Sequence, residues 1–203
     1  MLLAFGVLAA VSHAQSTGQG QVVDAAITDG SALLGALIHG WHSSGLWNAE
    51  AGTNNGDGGA HFYDAYVCAD GKYISIGSME PQFYVLLREK CGLYEPEFDA
   101  QWNAAQWPAL KERVADVFLQ KTRQQWCDLL EGTDVCFAPV LSLDEAPKHP
   151  HNRARGTFVQ VDGITQPAPA PRFSRTPVDV VGGGETRGHF AEQEFECQPV
   201  EGS

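Results

Sequence analysis

Apolar residues recur in this chain with two periods, one typical of helices and one typical of strands. The first eleven residues, Met1 to Val11, are apolar almost throughout, which predicts a helix buried on nearly all sides. From Ser31 apolar residues fall at positions i, i+3, i+4 and i+7, which predicts an amphipathic helix ending near Gly45. Residues 21–25, between these helices, favour a short strand. Helix, strand, helix is typical of an α/β protein rather than a helical bundle.

A loop rich in Gly, Asn and Asp at residues 51–60 contains no core-forming residue and marks the expected segment boundary. Residues 61–68 and 72–77 then predict the two strands of a hairpin, and Asp70-Gly71 favours a type I′ turn between them. Pro81 is well placed as the first residue of the next helix. We expect Gly92 to end that helix, with its buried face formed by Phe83, Leu86 and Leu87.

The second half of the chain predicts two more helices followed by extended segments. One helix opens at Trp107-Pro108, and the other begins at Thr122, which forms a capping-box pattern with Gln125. Residues 135–140 are an apolar strand. Beyond residue 143 the chain is rich in Pro, His, Arg and Gly, yet Phe158, Val159 and Val161 still supply strand residues; from Gly182 a polar tail is expected.

Composition narrows the classes of function. Lys and Arg number 13 against 25 Asp and Glu, a net charge of −12, which argues against general binding to nucleic acid or to an anionic membrane surface. The apolar run at the N-terminus imitates a secretory signal, but it has no basic residue before it and is too short to span a membrane. Five widely spaced cysteines without a C-x-x-C pattern argue against a disulfide framework and a zinc ribbon, and favour free thiols in a reducing cytoplasm.

Glu80 is the residue that attracts most attention on chemical grounds. A strand ends at Gly77, so Glu80 stands at the N-cap or first turn of the following helix, where the helix dipole favours an ionised carboxylate. Two interpretations are open. Glu80 is either an anionic partner for a basic or histidine side chain, or an ordinary acidic residue of a first helical turn.

Other candidate motifs give weaker indications of a catalytic or binding site. His149-Pro150-His151 has no carboxylate or cysteine nearby, which weakens a metal site, and the glycines at 182–184 lack the surroundings of a phosphate-binding loop. Cys91 and Cys127 lie on apolar helix faces, where buried structural thiols are expected. The residues alone therefore indicate an α/β protein without a self-contained catalytic set.

Several stretches, in order, resemble a known family: residues 20–26, 57–64 and 70–84, followed by 132–140 and 169–175. The third contains Ser-Met-Glu-Pro-Gln-Phe-Tyr and the last Pro-Arg-Phe-Ser-Arg. Together they resemble the α-methylacyl-CoA racemases, a branch of the class III CoA-transferase family (CaiB/BaiF-like). The resemblance runs from Met1 to about Thr176.

The resemblance implies a fold and a domain organisation. It implies a class III CoA-transferase-like α/β fold, in which residues 1–45 are the C-terminal part of a Rossmann-like large domain. Residues 46–150 would form a small α/β domain, and 151–203 an extended return segment to the large domain with a polar tail. Members of the family are cytoplasmic enzymes of lipid metabolism that form interlocked homodimers, which we expect of the complete protein.

The resemblance also implies a chemistry, the racemisation of 2-methylacyl-CoA thioesters by removal and return of the α-proton. Glu80 aligns with the glutamate that pairs with the catalytic histidine, and Tyr63 and Met79 would bind the substrate near its acyl group. His61 aligns elsewhere and is not that histidine. The histidine and aspartate bases would lie before Met1, so we expect this chain alone to be inactive. No metal and no cofactor is implied beyond the CoA of the substrate.

Two alternatives to this function stay open. The chain could derive from a true class III CoA-transferase, which moves CoA between carboxylic acids through an aspartyl anhydride. Glu80 argues against it, because such an enzyme does not need a partner for a histidine. The chain could instead be a non-catalytic binding module, against which the poorly sheltered apolar helix at its start counts.

Overall fold

The structure is a computed structural model and describes residues 1–178. It comprises two compact units, residues 1–140 and a second that begins at Leu141. The domain boundaries expected near residues 45 and 150 stay predictions. The polar tail expected from Gly182 lies outside the described residues.

Three helices open the first unit, and they are exposed rather than buried. They span Leu2–Thr17 (α1), Ile27–Leu34 (α2) and Ala36–Ser43 (α3). The prediction of a helix at the start of the chain is confirmed, but its predicted burial is wrong, since none of its side chains is buried. The amphipathic helix expected from Ser31 is two shorter helices that meet at Gly35, and their apolar faces are exposed as well.

The short strand predicted at residues 21–25 is wrong. This segment has no regular secondary structure, and Val22 is 94% exposed. A strand is stabilised by pairing with a neighbouring strand. Among residues 1–178 no strand pairs with this segment.

A three-stranded antiparallel sheet lies at the centre of the first unit. Its strands are Tyr63–Val67 (β1), Tyr73–Gly77 (β2) and Phe137–Val140 (β3), in the order β1-β2-β3. This confirms the predicted hairpin and the predicted third strand. Pro139 is compatible with β3 because that strand lies at the edge of the sheet.

The turn of the hairpin differs from the predicted type I′ turn. The N–H of Cys68 donates to the carbonyl of Lys72 at 2.7 Å, so residues 69–71 connect the strands as predicted, whereas a type I′ turn has a loop of two residues. A type I′ turn needs positive φ at both central residues, whereas Gly71 is left-handed at +71° and Asp70 is not. The loop is therefore a tight turn followed by a left-handed glycine, which Asp-Gly also suits.

Three helices pack against this sheet at the positions that the sequence predicts. They span Pro81–Cys91 (α4), Trp107–Phe118 (α5) and Arg123–Leu130 (α6). Gly92 ends α4 in the left-handed conformation, and the capping box of Thr122 and Gln125 is formed in both directions. Local sequence signals thus place both ends of α4 and the starts of α5 and α6.

The core of the first unit lies between the sheet and these helices. Ile74 and Ile76 point inward from β2, and the helices contribute fully or almost fully buried side chains, among them Leu87, Leu110, Val114, Phe118, Trp126 and Leu130. The face of α4 is rotated from the prediction. Tyr84, Leu87 and Cys91 are buried, whereas Phe83 and Leu86 are half-buried.

The loop at 51–60 is built into the core, contrary to expectation. Ala60 is fully buried, and Asn54 is 5% exposed. The carboxylate of Asp57 accepts hydrogen bonds from the N–H of Gly52, the N–H of Asn54 and the side-chain amide of Asn54, at 2.7–3.0 Å. These bonds replace the apolar contacts that the sequence lacks.

The described part of the second unit contains one short helix and a hairpin. Pro150–Arg155 (α7) follows a 3₁₀ turn, and the antiparallel strands Phe158–Val161 (β4) and Ile164–Pro167 (β5) come next. The predicted strand residues are thereby confirmed. The remaining 3₁₀ turns, in the first unit, are Pro96–Asp99 and Ala104–Gln106.

Candidate functional site

Glu80 lies in the turn between β2 and α4, as the sequence predicts. It is the N-cap residue, with φ −73° and ψ 142°, and its carbonyl accepts the N–H groups of Phe83 and Tyr84, each at 3.0 Å. Its exposed side chain makes no capping hydrogen bond to α4. The carboxylate therefore remains available for a cationic or imidazole group outside the described residues, and that role stays a prediction.

Tyr63 lies at the same end of the hairpin as Glu80. It is the register partner of Gly77, and a Cβ built on Gly77 would lie 3.3 Å from Cε2 of Tyr63, so the ring lies over the glycine. The ring is 40% exposed. It borders a shallow depression of about 380 Å³ lined by Tyr63, Asp64, Ser75, Ile76, Gly77 and Cys136.

The side chain of Met79 points into the core, whereas those of Glu80 and Tyr63 are exposed. Its side chain is half-buried and packs against the hydrophobic core of the first unit. Its N–H donates to the carbonyl of Gly77 at 2.8 Å, which keeps the turn tight. The structure thus brings Tyr63 and Glu80 to one end of the sheet, while the contribution of Met79 to substrate binding stays a prediction.

Cys136 belongs to this site, although sequence reasoning did not find it. The thiol is exposed, the residue has a φ of +56°, and its carbonyl accepts the N–H of Gly77 at 2.9 Å. Partial burial raises its pKa, and the negative charges of Glu80 and Asp134 raise it further. Glu80 therefore acts electrostatically on a residue that lines the depression. Nothing in the local sequence signals this, because the two residues are 56 positions apart.

The other notable thiols and the central histidine are buried. Burial raises the pKa of Cys91 to about 12 and that of Cys127 to about 11, so these thiols are protonated and structural, as predicted. His61 is fully buried immediately before β1. Burial lowers the pKa of its imidazole to about 4, which makes it a neutral core residue and not a surface base.

Residues 1–178 contain neither a cluster of metal-binding side chains nor a helix that could span a membrane. Within that range, no group of three or more His, Cys, Asp or Glu side chains is arranged to hold a metal ion. None of the helices in the described part combines the length and the hydropathy needed to cross a bilayer.

The sequence of the chain matches the CoA-transferase family III over residues 1–184. This chain belongs to that family. A member from Mus musculus, α-methylacyl-CoA racemase, is 41% identical over 179 residues, which is 87% of this chain and 47% of the mouse protein. Succinyl-CoA:mesaconate CoA-transferase of Haloarcula hispanica is 29% identical over 167 residues, 80% of this chain and 41% of that protein.

Solved structures of the family share the fold. The protein Rv3272 of Mycobacterium tuberculosis superposes with a TM-score of 0.68 at 21% sequence identity, over 88% of this chain and 48% of that one. The predicted α/β fold of the class III CoA-transferases is thus confirmed. The chain spans about half the length of the family members that it matches.

Proposed function

We propose that this chain is the Glu80-bearing part of an enzyme that racemises 2-methylacyl-CoA thioesters. The observation that carries the proposal is its 41% identity to mouse α-methylacyl-CoA racemase over 87% of the chain, against 29% to the transferase. Membership of the family supports a CoA thioester as the class of substrate. The racemase reaction, the 2-methyl group and the contribution of each residue are our proposal.

The proposed reaction exchanges one proton at the α-carbon of the thioester. A base removes the α-proton of the thioester and leaves an enolate, and an acid on the opposite face returns a proton with inverted configuration. The two groups need pKa values near the working pH. A histidine and an aspartate supplied outside this chain would serve as these groups, so we propose that the chain alone is inactive. Such an exchange requires no cofactor beyond the CoA of the substrate.

Glu80 would act on the histidine rather than on the substrate. An exposed carboxylate at the start of α4 can accept a hydrogen bond from an imidazole, fix its orientation and stabilise its charged form. Tyr63 would border the acyl group, which its half-exposed ring beside the depression allows. We propose further that the complete enzyme is a homodimer, and that it belongs to cytoplasmic lipid metabolism.

A chimaera tests the proposal. The part of the mouse racemase that this chain matches is replaced by residues 1–176 of this chain, and deuterium incorporation at the α-carbon of a 2-methylacyl-CoA is measured in D₂O. We expect exchange by the chimaera and none by the 203-residue chain alone. In the chimaera, Glu80→Gln should reduce exchange about tenfold or more and shift the histidine limb of the pH profile to lower pH.

The matched control is Glu89→Gln, which removes an exposed carboxylate from the same helix and should leave the exchange rate unchanged. A folded chimaera that moves CoA to a free carboxylic acid without α-proton exchange would establish the transferase alternative. Exchange catalysed by the purified 203-residue chain would contradict its proposed inactivity.

A further inference from the structure

The turn that carries Glu80 is held by contacts with distant parts of the chain. We name residues Gly77–Glu80 the Glu80 turn. The N–H of Ser78 donates to the carbonyl of Phe62 at 3.0 Å, and its hydroxyl donates to the carbonyl of Val135 at 2.5 Å. Ser78 is itself fully buried. The N-terminal half of the Glu80 turn is therefore fixed to the segments that precede β1 and β3.

The C-terminal half of the turn is held by one side chain, that of Gln101. Its Nε2 donates to the carbonyl of Ser78 at 3.1 Å and to the carbonyl of Met79 at 2.9 Å. Both protons of the amide are thus used on the two peptide groups that precede Glu80. Gln101 is 7% exposed, so these bonds also satisfy a polar group that would be costly to bury without partners.

Gln101 is itself held in place by α5. The indole Nε1–H of Trp107, the first residue of that helix, donates to the carbonyl of Gln101 at 2.8 Å. The Trp107 ring is 7% exposed and packs edge-on against Phe62, with ring centroids 5.9 Å apart. A rigid part of the core therefore sets the backbone position from which the Gln101 side chain reaches the turn.

We propose that Gln101 is a positioning residue, which directs the Glu80 carboxylate by fixing the two peptide groups in front of it. The inference rests on the proposed function, because it assigns Gln101 to the same site. Peptide planes 78 and 79 determine where the backbone enters α4, and Glu80 has no capping hydrogen bond of its own to orient it. Without the Gln101 amide, two carbonyls would lose their donor and the turn could adopt other conformations.

The test uses the 203-residue chain itself, labelled for NMR, and compares it with its Gln101→Met variant. Met has about the same length but donates no hydrogen bond. We expect the amides of Ser78 and Met79 to exchange with solvent about tenfold faster or more, and the Glu80 carboxyl resonance to shift or broaden. Amides in the middle of β2 and α6 should change less than about twofold.

A second variant separates positioning from general destabilisation. Val114→Ala removes fully buried methyl groups from α5 and leaves the hydrogen bonds of the Glu80 turn in place, so it should speed exchange across the core without a selective effect at Ser78 and Met79. Should Gln101→Met fail to fold, the milder Gln101→Asn retains the amide but is one methylene too short to reach both carbonyls.

The proposal is overturned if Ser78, Met79 and the Glu80 carboxyl resonance are unchanged, or if their changes match those of Val114→Ala at equal loss of stability. These measurements need no substrate, so they are independent of whether the protein is a racemase. In an active chimaera, Gln101→Met should lower kcat about tenfold with KM within about twofold. If the chimaera shows no racemase activity while Gln101→Met still alters the Glu80 turn, the proposed function is wrong and the positioning role of Gln101 stands.

Discussion

At the scale of single residues, the imidazole of His61 has its chemistry set by its surroundings in the core. Tyr84 has a single hydroxyl proton, which it donates to the carbonyl of Phe98 at 2.9 Å, so its oxygen accepts the Nε2–H of His61 at 2.8 Å. Within the described residues, Nδ1 of His61 is buried without a hydrogen-bond partner. Protonation of Nδ1 would thus place an uncompensated charge in the core.

We expect this histidine to make the protein less stable in mild acid. Its pKa is about 4 in the folded protein and about 6.5 when unfolded, so the unfolded state binds more protons between these values. Stability should therefore fall as pH drops from about 6.5 towards 4, by up to roughly 3 kcal/mol from this group. Urea unfolding at several pH values measures it.

The His61→Leu variant should lose that part of the pH dependence, because it has no group to protonate. His151→Gln, which replaces an exposed histidine of α7, is the control and should retain the full dependence. Equal slopes for His61→Leu and the unmodified chain over this pH range would contradict the assignment.

At the scale of elements, the loop before β1 is held by polar contacts rather than by apolar packing. Desolvation pushes the pKa of Asp57 up, but hydrogen bonds from Asn54, Gly52 and Gly59 outweigh it and leave that pKa lowered. Lys111 of α5 bridges the carboxylate of Asp64 and the carbonyl of Gly58. These contacts therefore fix the conformation of the loop and, with it, the position of Tyr63 at the start of β1.

Gly59→Ala should disrupt this loop. A Cβ at that position would lie 2.5 Å from the backbone oxygen of Asn54 and 2.7 Å from the carbonyl carbon of Thr53, and backbone atoms cannot move aside cheaply. We expect a loss of about 2 kcal/mol or more in the free energy of unfolding. Gly20→Ala, with no atom within 4 Å, is the matched control and should change stability by less than about 0.5 kcal/mol. Equal stability of the two variants would contradict the clash.

At the scale of the whole molecule, helices α1–α3 of the first unit expose many large apolar side chains. Phe5 is 73% and Leu8 71% exposed, and α2 and α3 add further exposed large apolar side chains, among them Leu33, Leu34, Leu37 and Trp41. Contiguous apolar surface of this extent is unfavourable in water and favours association. The predicted burial of α1 fails because the described residues beside it bury none of its side chains.

We expect the chain to self-associate through this surface. Combined Phe5→Gln and Leu8→Gln should weaken association about tenfold or more, as measured by sedimentation at several concentrations, because two large apolar side chains no longer drive it. The thermal midpoint of the core should not change. Leu143→Gln, which replaces a 94% exposed leucine elsewhere, is the control; an equal effect from it would contradict a role for α1.

The features that the sequence predicts correctly depend on neighbours within a few positions. Pro81 and Gly92 delimit α4, Thr122 caps α6, and the Asp70-Gly71 pair closes the hairpin. Each of these effects is a contact within one turn or one loop, so a short window of sequence contains all its partners. The position of Glu80 at the start of a helix was predictable for the same reason.

The features that only the tertiary structure decides depend on partners far apart in sequence. Gln101 reaches the Glu80 turn across more than twenty residues, and Cys136, the residue before β3, accepts a hydrogen bond from the N–H of Gly77 in that turn. The strand expected at residues 21–25 needed a neighbour, and the burial of α1 needed a cover. Periodicity indicates that one face of a helix is apolar. Burial also requires a second surface that packs against this face, and the local sequence of the helix does not specify that surface.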